Sequence, residues 1–338
     1  LTPRAARRKA GTTDAWERNM GELRRLAILD DYQGVALSMG PWSRLPASLS
    51  VEVFRDTLKD PDALAARLAP FDAILAMRER TPFPAALLER LPNLKLLITT
   101  GEKNRSFDVA AARARGITVC GTPSVGAPTV DIAWGLILGL LRNLPAETAS
   151  LREGGWQTGL GTAAEGLMLG ILGLGKLGSR MARIGAAFGM RPIAWSQNLT
   201  AEKAAAGGAE LVSKADLFAR ADVVTLHLVL SDRSRGIVGA EDLSRMKPGA
   251  ILVNTSRGPL VDQAALVAAL EAGRIRAGLD VFDEEPLPPG HPLLGCPGTL
   301  LTPHLGYVST QNYAAYFEGA VKAVEGYLAG APVMEITG

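Results

Sequence analysis

Near the middle of the chain lies Gly173-Leu174-Gly175-Lys176-Leu177-Gly178, and no other stretch limits the fold so tightly. The apolar run Leu167–Leu172 enters it and the helical pattern Leu177–Phe188 leaves it. Strand, glycine turn and helix in that order open a doubly wound α/β unit. The first glycine permits the tight turn, the second lets backbone approach a pyrophosphate, and the third lets the helix pack closely on the strand. Amide N–H groups at the helix start then face negative phosphates. The motif therefore predicts a dinucleotide site on Gly173, Gly175, Lys176, Leu177 and Gly178.

That unit does not begin the chain. Upstream, short apolar runs at Leu26–Leu29, Val51–Phe54, Ala73–Ala76, Leu94–Ile98 and Ile117–Cys120 alternate with helical patterns such as Pro61–Leu68 and Pro84–Leu91. Such alternation implies a parallel sheet with helical crossovers. A long apolar helix, about Pro128–Leu141, follows; it is a core helix or one that bridges two domains. The second series has strand candidates at Leu167–Leu172, Pro192–Trp195, Glu210–Val212, Val223–Leu228, Ile251–Asn254 and Gly278–Val281. Residues 283–298, with five prolines, read as a loop, and Thr310–Leu328 as a final helix. The length, 338 residues, suits two domains. The fold class expected is α/β: two doubly wound parallel-sheet domains, a Rossmann domain over 124–305 inserted into a flavodoxin-like domain over 20–123 and 306–338. Residues 1–19 are polar and Arg-rich without an apolar core, so they are expected to be a disordered leader, not a secretory signal.

Composition removes several function classes. Lys plus Arg is 36 against 34 for Asp plus Glu, which lacks the basic excess of a nucleic-acid binder. The longest uncharged apolar runs, such as Ile132–Leu141, fall well short of the roughly 20 residues of a membrane span. Cys120 and Cys296 are too few for a disulfide framework and are not spaced as metal ligands; no metal site is expected, and reduced thiols suit a cytoplasmic location. Only His227, His291 and His304 are available for imidazole chemistry.

Three downstream segments carry polar residues out of strands: Val253-Asn254-Thr255-Ser256-Arg257-Gly258, Leu279-Asp280-Val281-Phe282-Asp283-Glu284-Glu285-Pro286 and Thr302-Pro303-His304-Leu305-Gly306. Ligands of open α/β sheets bind at the carboxyl edge. His227 lies near the end of Val223–Leu228 and is a candidate cofactor contact, whereas His291 reads as a loop histidine. About 20 residues beyond the glycine loop, where a carboxylate would take the ribose 2′-OH of NAD, the chain has Ser196-Gln197-Asn198. Ser196 and Asn198 suit either dinucleotide, so NAD is expected with NADP open.

Taken in order, these segments make about residues 25–335 similar to the D-isomer-specific 2-hydroxyacid dehydrogenase family. The resemblance implies Arg257, Glu285 and His304 as the catalytic residues, with Asp280 on the cofactor side near the nicotinamide. Thr255, Ser256, Gly306 and Thr129 join the implied cofactor contacts, as do Arg257 and His304. Reduction of a 2-keto acid builds negative charge on the keto oxygen, which a cation stabilises and an imidazole protonates. Arg257 can also fork to the substrate carboxylate. In similar proteins the turn Thr100-Gly101-Glu102-Lys103 presents backbone N–H groups to that carboxylate.

Further expectations come with the resemblance. One is an interdomain cleft that closes on a small 2-hydroxy or 2-keto acid. Another is a homodimer using the Pro128–Leu141 helix and the Leu144–Trp156 segment. Formate is disfavoured because Glu285 stands where formate-oxidising relatives have Gln. The chain ends soon after its last helix, so no additional C-terminal regulatory domain is expected. The alternative implied reading is a cofactor-sensing, corepressor-like binding protein; an L-specific dehydrogenase would place its glycine loop near the N-terminus.

Overall fold

The computed structural model describes residues 22–337, so the expected leader over 1–19 lies outside the described residues. The chain divides into two compact units, one ending at Gly126 and resuming at Thr310, the other spanning Ala127–Ser309. These junctions fall a few residues beyond those expected after 123 and 305. At the second, the reason is visible: the amide of Gly306 donates to Asp280 Oδ2 at 2.8 Å, which holds the 305–307 turn to the second unit.

The first unit has five strands: β1 (Arg25–Ile28), β2 (Ser50–Val53), β3 (Ala73–Ala76), β4 (Leu96–Thr99) and β5 (Thr118–Cys120). All pair in parallel, in the order β2-β1-β3-β4-β5 characteristic of flavodoxin-like sheets. Its crossover helices start where side chains satisfy free amides. Asp60 accepts from the N–H of Ala63 at 2.7 Å and Asp108 from that of Ala111 at 2.9 Å. In the returning helix Thr310–Leu328, Tyr313, Tyr316, Phe317, Ala320, Val324 and Tyr327 are buried. Their three- and four-residue spacing is that of one helical face.

The second unit has seven parallel strands: β6 (Met168–Leu172), β7 (Arg191–Trp195), β8 (Glu210–Leu211), β9 (Val223–Leu226), β10 (Ile251–Asn254), β11 (Arg276–Leu279) and β12 (Thr299–Leu301). Their order is β12-β11-β10-β9-β6-β7-β8, a Rossmann sheet with one added strand. Residues alternate between two cores on opposite faces: Leu169, Ile171, Val223, Ile251 and Val253 on one, Leu172, Val224, Leu226 and Leu252 on the other. The Pro128–Leu141 helix buries Val130, Ala133, Trp134, Leu136, Ile137 and Leu140 in the first of these cores. It is therefore a core helix of this unit, and its apolar residues are largely consumed there.

β12 escaped the sequence reading because it is three residues long and follows a proline-rich loop. β9 stops at Leu226 and β11 at Leu279, two residues short of the expected ends, which moves His227 and Asp280 just past their strands. Both cysteines are buried free thiols, and burial pushes Cys120 up to about 12, so it stays protonated at neutral pH. Among the described residues no helix is long and apolar enough to cross a membrane.

Candidate functional site

Register places the expected residues on one line. Across the second sheet, Trp195, Leu172, Leu226, Asn254, Leu279 and Leu301 are successive partners. Because every strand runs the same way, the next residue of each leaves the same edge. Those residues are Ser196, Gly173, His227, Thr255, Asp280 and Thr302.

The glycines of the loop differ in what demands them. Gly173 has φ +102°, and a Cβ there would lie 2.6 Å from the carbonyl oxygen of His227. A Cβ on Gly178 would meet the Gly173 carbonyl oxygen at 2.1 Å, so helix and turn touch only because it is absent. A Cβ on Gly175 would meet no protein atom within 4 Å. Packing therefore does not require glycine at 175; a ligand approaching the backbone would. Lys176, exposed, and Leu177 open the helix Lys176–Ala187.

Beside the loop is an open groove of about 610 Å³, lined among others by Gly173, Gly175, Ser196, Asn198 and His227. Arg183 and Lys203 also line it, and the sequence reading did not anticipate them. The imidazole of His227 shares a hydrogen bond with Thr225 Oγ1 through Nε2 at 2.9 Å. Its Nδ1 is buried with no hydrogen-bond partner among the described residues, as is Thr255 Oγ1. Burial lowers the His227 pKa to about 4, so the ring is neutral at physiological pH. An open cradle at Gly175 and two orphaned polar atoms on the same edge fit a dinucleotide with polar groups of its own.

A prediction separates this function from structure. Gly175 has φ −86°, which any residue adopts. Gly175→Val should keep the melting temperature within a few degrees yet weaken NADH binding at least tenfold by titration calorimetry. Unchanged affinity would show that no phosphate approaches there.

At the β10–β12 end the histidine and its carboxylate meet. His304 Nδ1 lies 2.6 Å from Glu285 Oε2, with 19% and 21% of the two side chains exposed. Glu285 Oε1 accepts from the amide of Phe282 at 2.9 Å, which fixes the carboxylate from behind. His304 sits at φ +53°, a left-handed conformation uncommon for histidine, and its ring packs edge-on against Tyr307. Asp280 is buried; its carboxylate accepts from Thr302 Oγ1 at 2.6 Å and from the amides of Leu305 and Gly306 at 2.6 and 2.8 Å. Burial raises its pKa and those hydrogen bonds oppose the rise. Asp280 thus clamps the turn that carries His304.

Arg257 leaves the end of β10. A Cβ on Gly258 would lie 2.2 Å from the Phe282 carbonyl carbon, so the Arg257 loop rests directly on the Phe282 backbone that also anchors Glu285. Arg257 Nη1 donates to the carbonyl of Ser256 at 2.7 Å, and its own carbonyl accepts from Asn254 Nδ2 at 2.8 Å.

Two expected contacts are already engaged within the protein. Ser256 Oγ donates to Leu226 O at 2.6 Å, and Thr129 Oγ1 donates to Gly306 O at 2.7 Å, tying the Pro128 helix to the His304 turn. Both hydroxyls do structural work, which sequence cannot reveal because the acceptors are distant carbonyls. His291 is a loop histidine whose Nδ1 accepts from the amide of Leu293 at 3.2 Å.

In the first unit the turn expected to face the substrate carboxylate has fewer free amides than the sequence implies. The amide of Thr100 donates to Ala76 O at 3.0 Å and that of Gly101 to Thr122 Oγ1 at 2.9 Å. The expectation of backbone donors therefore contracts to Glu102 and Lys103, both exposed. Arg78 packs on this turn: its Nη1 donates to Thr100 O at 3.2 Å and lies where a side chain on Gly101 would point.

Residues 134–306 match the D-isomer specific 2-hydroxyacid dehydrogenase, NAD binding domain. A D-3-phosphoglycerate dehydrogenase of Mycobacterium bovis is 40% identical over 256 residues, 73% of this chain and 47% of that protein. The match thus spans about half that relative's length. A hydroxypyruvate reductase of Blautia hydrogenotrophica is 30% identical, over 91% of this chain and 98% of its own. A crystal structure of a phosphoglycerate oxidoreductase from Vibrio cholerae superposes with a TM-score of 0.86 at 40% identity, covering 91% of this chain and 100% of that one.

Proposed function

The chain belongs to the D-isomer-specific 2-hydroxyacid dehydrogenase family, and on that premise we propose that it interconverts a small D-2-hydroxy acid and its 2-keto acid by hydride transfer. The observation that carries this reading is the 2.6 Å pairing of His304 with Glu285, on the carboxyl edge that also holds the glycine loop. A bound nicotinamide dinucleotide supplies or takes the hydride.

The protein's residues do the rest. Glu285 accepts from Nδ1–H of His304 and so fixes the tautomer, leaving Nε2 for the substrate oxygen. In reduction the imidazolium donates its Nε2 proton to the oxygen that gains charge; in oxidation the neutral ring removes it. Glu285 stabilises the charged ring. Arg257 holds the substrate carboxylate and stabilises the growing charge on the carbonyl oxygen. Asp280 acts through the turn it clamps.

The test is a panel of glyoxylate, hydroxypyruvate, pyruvate and phosphohydroxypyruvate with NADH and then NADPH, followed by loss of nicotinamide absorbance. Saturable turnover of at least one acid is expected. Dinucleotide binding without turnover of any would instead favour a binding protein.

The assembly belongs to the same reading. The helix Leu144–Arg152 buries none of its residues, and nine residues are too few for a stable helix alone in water. Leu144, Leu151, Trp156 and Leu160 are exposed in and after it, with Leu160 98% exposed. A second copy of the chain covers this segment, as a homodimer. The double substitution Trp156→Glu/Leu160→Glu should give a monomeric mass by light scattering at micromolar concentration, against a dimeric mass for the parent. A monomeric parent would overturn the dimer.

A further inference from the structure

We infer that the groove beside β6 and β7 is built for a 2′-phosphorylated adenine dinucleotide, so that this chain binds NADPH at least as tightly as NADH. The inference rests on the dinucleotide reading and goes beyond it by assigning the residues that choose between the two.

The end of β7 carries no carboxylate: Trp195 is followed by Ser196, Gln197 and Asn198. A carboxylate there would accept from the ribose 2′-OH and repel a 2′-phosphate. Its absence alone would leave the choice neutral. The groove tips the balance, because Arg183 from the helix Lys176–Ala187 and Lys203 from the helix Ala201–Ala206 both line it, together with Ser179, Ser196 and Asn198. No acidic residue is among its lining. A phosphate dianion is the ligand group that two cations and several hydroxyl or amide donors suit.

The state of the charges supports this. Among the described residues, neither Arg183 nor Lys203 is in an ion pair with a carboxylate, so both charges face the groove uncompensated by a bonded partner. Three acidic residues of the neighbouring elements have partners of their own. Glu202 is held by the Thr200 hydroxyl, Glu210 is paired with Arg220 at 3.0 Å, and Asp216 accepts from Ser213 Oγ at 2.7 Å. Glu210 and Asp216 line a separate depression on the other side of Ser196 and Gln197. The charged side chains that line the groove are therefore both cations, Arg183 and Lys203.

The experiment is titration calorimetry of the full chain with NADPH, NADH, 2′,5′-ADP and 5′-AMP. The last two compare an adenosine 5′-phosphate with and without the 2′-phosphate, and no turnover is needed. NADPH is expected to show a dissociation constant equal to or below that of NADH, and 2′,5′-ADP to bind more tightly than 5′-AMP. The 2′-phosphate advantage should shrink as salt rises from about 0.05 to about 0.5 M, since both cations are solvent-exposed. Arg183→Gln/Lys203→Gln should shift the NADPH-to-NADH affinity ratio about tenfold toward NADH, with an unchanged melting curve showing that the fold holds. Tighter binding of NADH than of NADPH overturns the inference while leaving the dinucleotide reading intact. Binding of neither overturns both. An unshifted ratio in the double variant overturns the assignment to Arg183 and Lys203.

Discussion

Replacing His304 by Asn is expected to lower turnover by about 10²–10⁴-fold, the usual worth of a positioned acid–base group. Asn is the informative choice because residue 304 has φ +53°, and Asn tolerates left-handed backbone better than Ala. A loss of activity in His304→Asn then reports chemistry and not a refolded turn. The amide side chain can neither take up nor release the proton. NADH affinity by calorimetry and the melting temperature should stay near those of the parent, and KM for the keto acid should change much less than kcat. Turnover within about threefold of the parent would remove His304 from proton transfer and return its contact with Glu285 to a structural pairing.

Arg257→Ala should affect both constants: kcat lower by about 10²–10³-fold, from loss of charge stabilisation at the carbonyl oxygen, and KM raised with it. In the proposed reading the two effects arise because one guanidinium addresses both the substrate carboxylate and the adjacent carbonyl oxygen. Arg257→Lys keeps the charge but not the planar fork, so it should recover part of kcat and little of KM. The dissociation constant for NADH should move little in either variant. An effect confined to NADH affinity would contradict the assignment, since it would place Arg257 at the cofactor and away from the substrate. Because the main-chain carbonyl of Arg257 accepts from Asn254 Nδ2, the loop itself survives loss of the side chain.

Much of this was readable before any coordinates. Strand–helix alternation identified two parallel-sheet units, since buried parallel strands are short, apolar and separated by helical spacing. Gly173 and Gly178 could be named because one demand on each is local, a positive φ and a helix-to-turn contact within six residues of chain, whereas the approach of His227 to Gly173 is not. The pairing of Glu285 with His304 was implied by a resemblance in motifs, and the 2.6 Å contact agrees with it. Less was legible where the partner is remote. Ser256 and Thr129 are expected cofactor contacts, and sequence could not show that each hydroxyl also donates to a carbonyl from another element. The amide of Gly101 read as an anion donor, but Thr122 takes it from twenty-one residues away. Arg183 and Lys203 lie on helix surfaces, where a cation ordinarily signals only solvent.

Sequence by itself determined the class of fold, the glycine turn and which residue types are available at the strand ends, because these follow from periodicity and local backbone geometry. Tertiary structure alone decided which of those residues share an edge and which donors remain available. Register is the reason: only when β6, β9, β10 and β11 pair in step do Gly173, His227, Thr255 and Asp280 emerge side by side. Only the assembled sheet shows that Thr255 Oγ1 and His227 Nδ1 have no partner among the described residues.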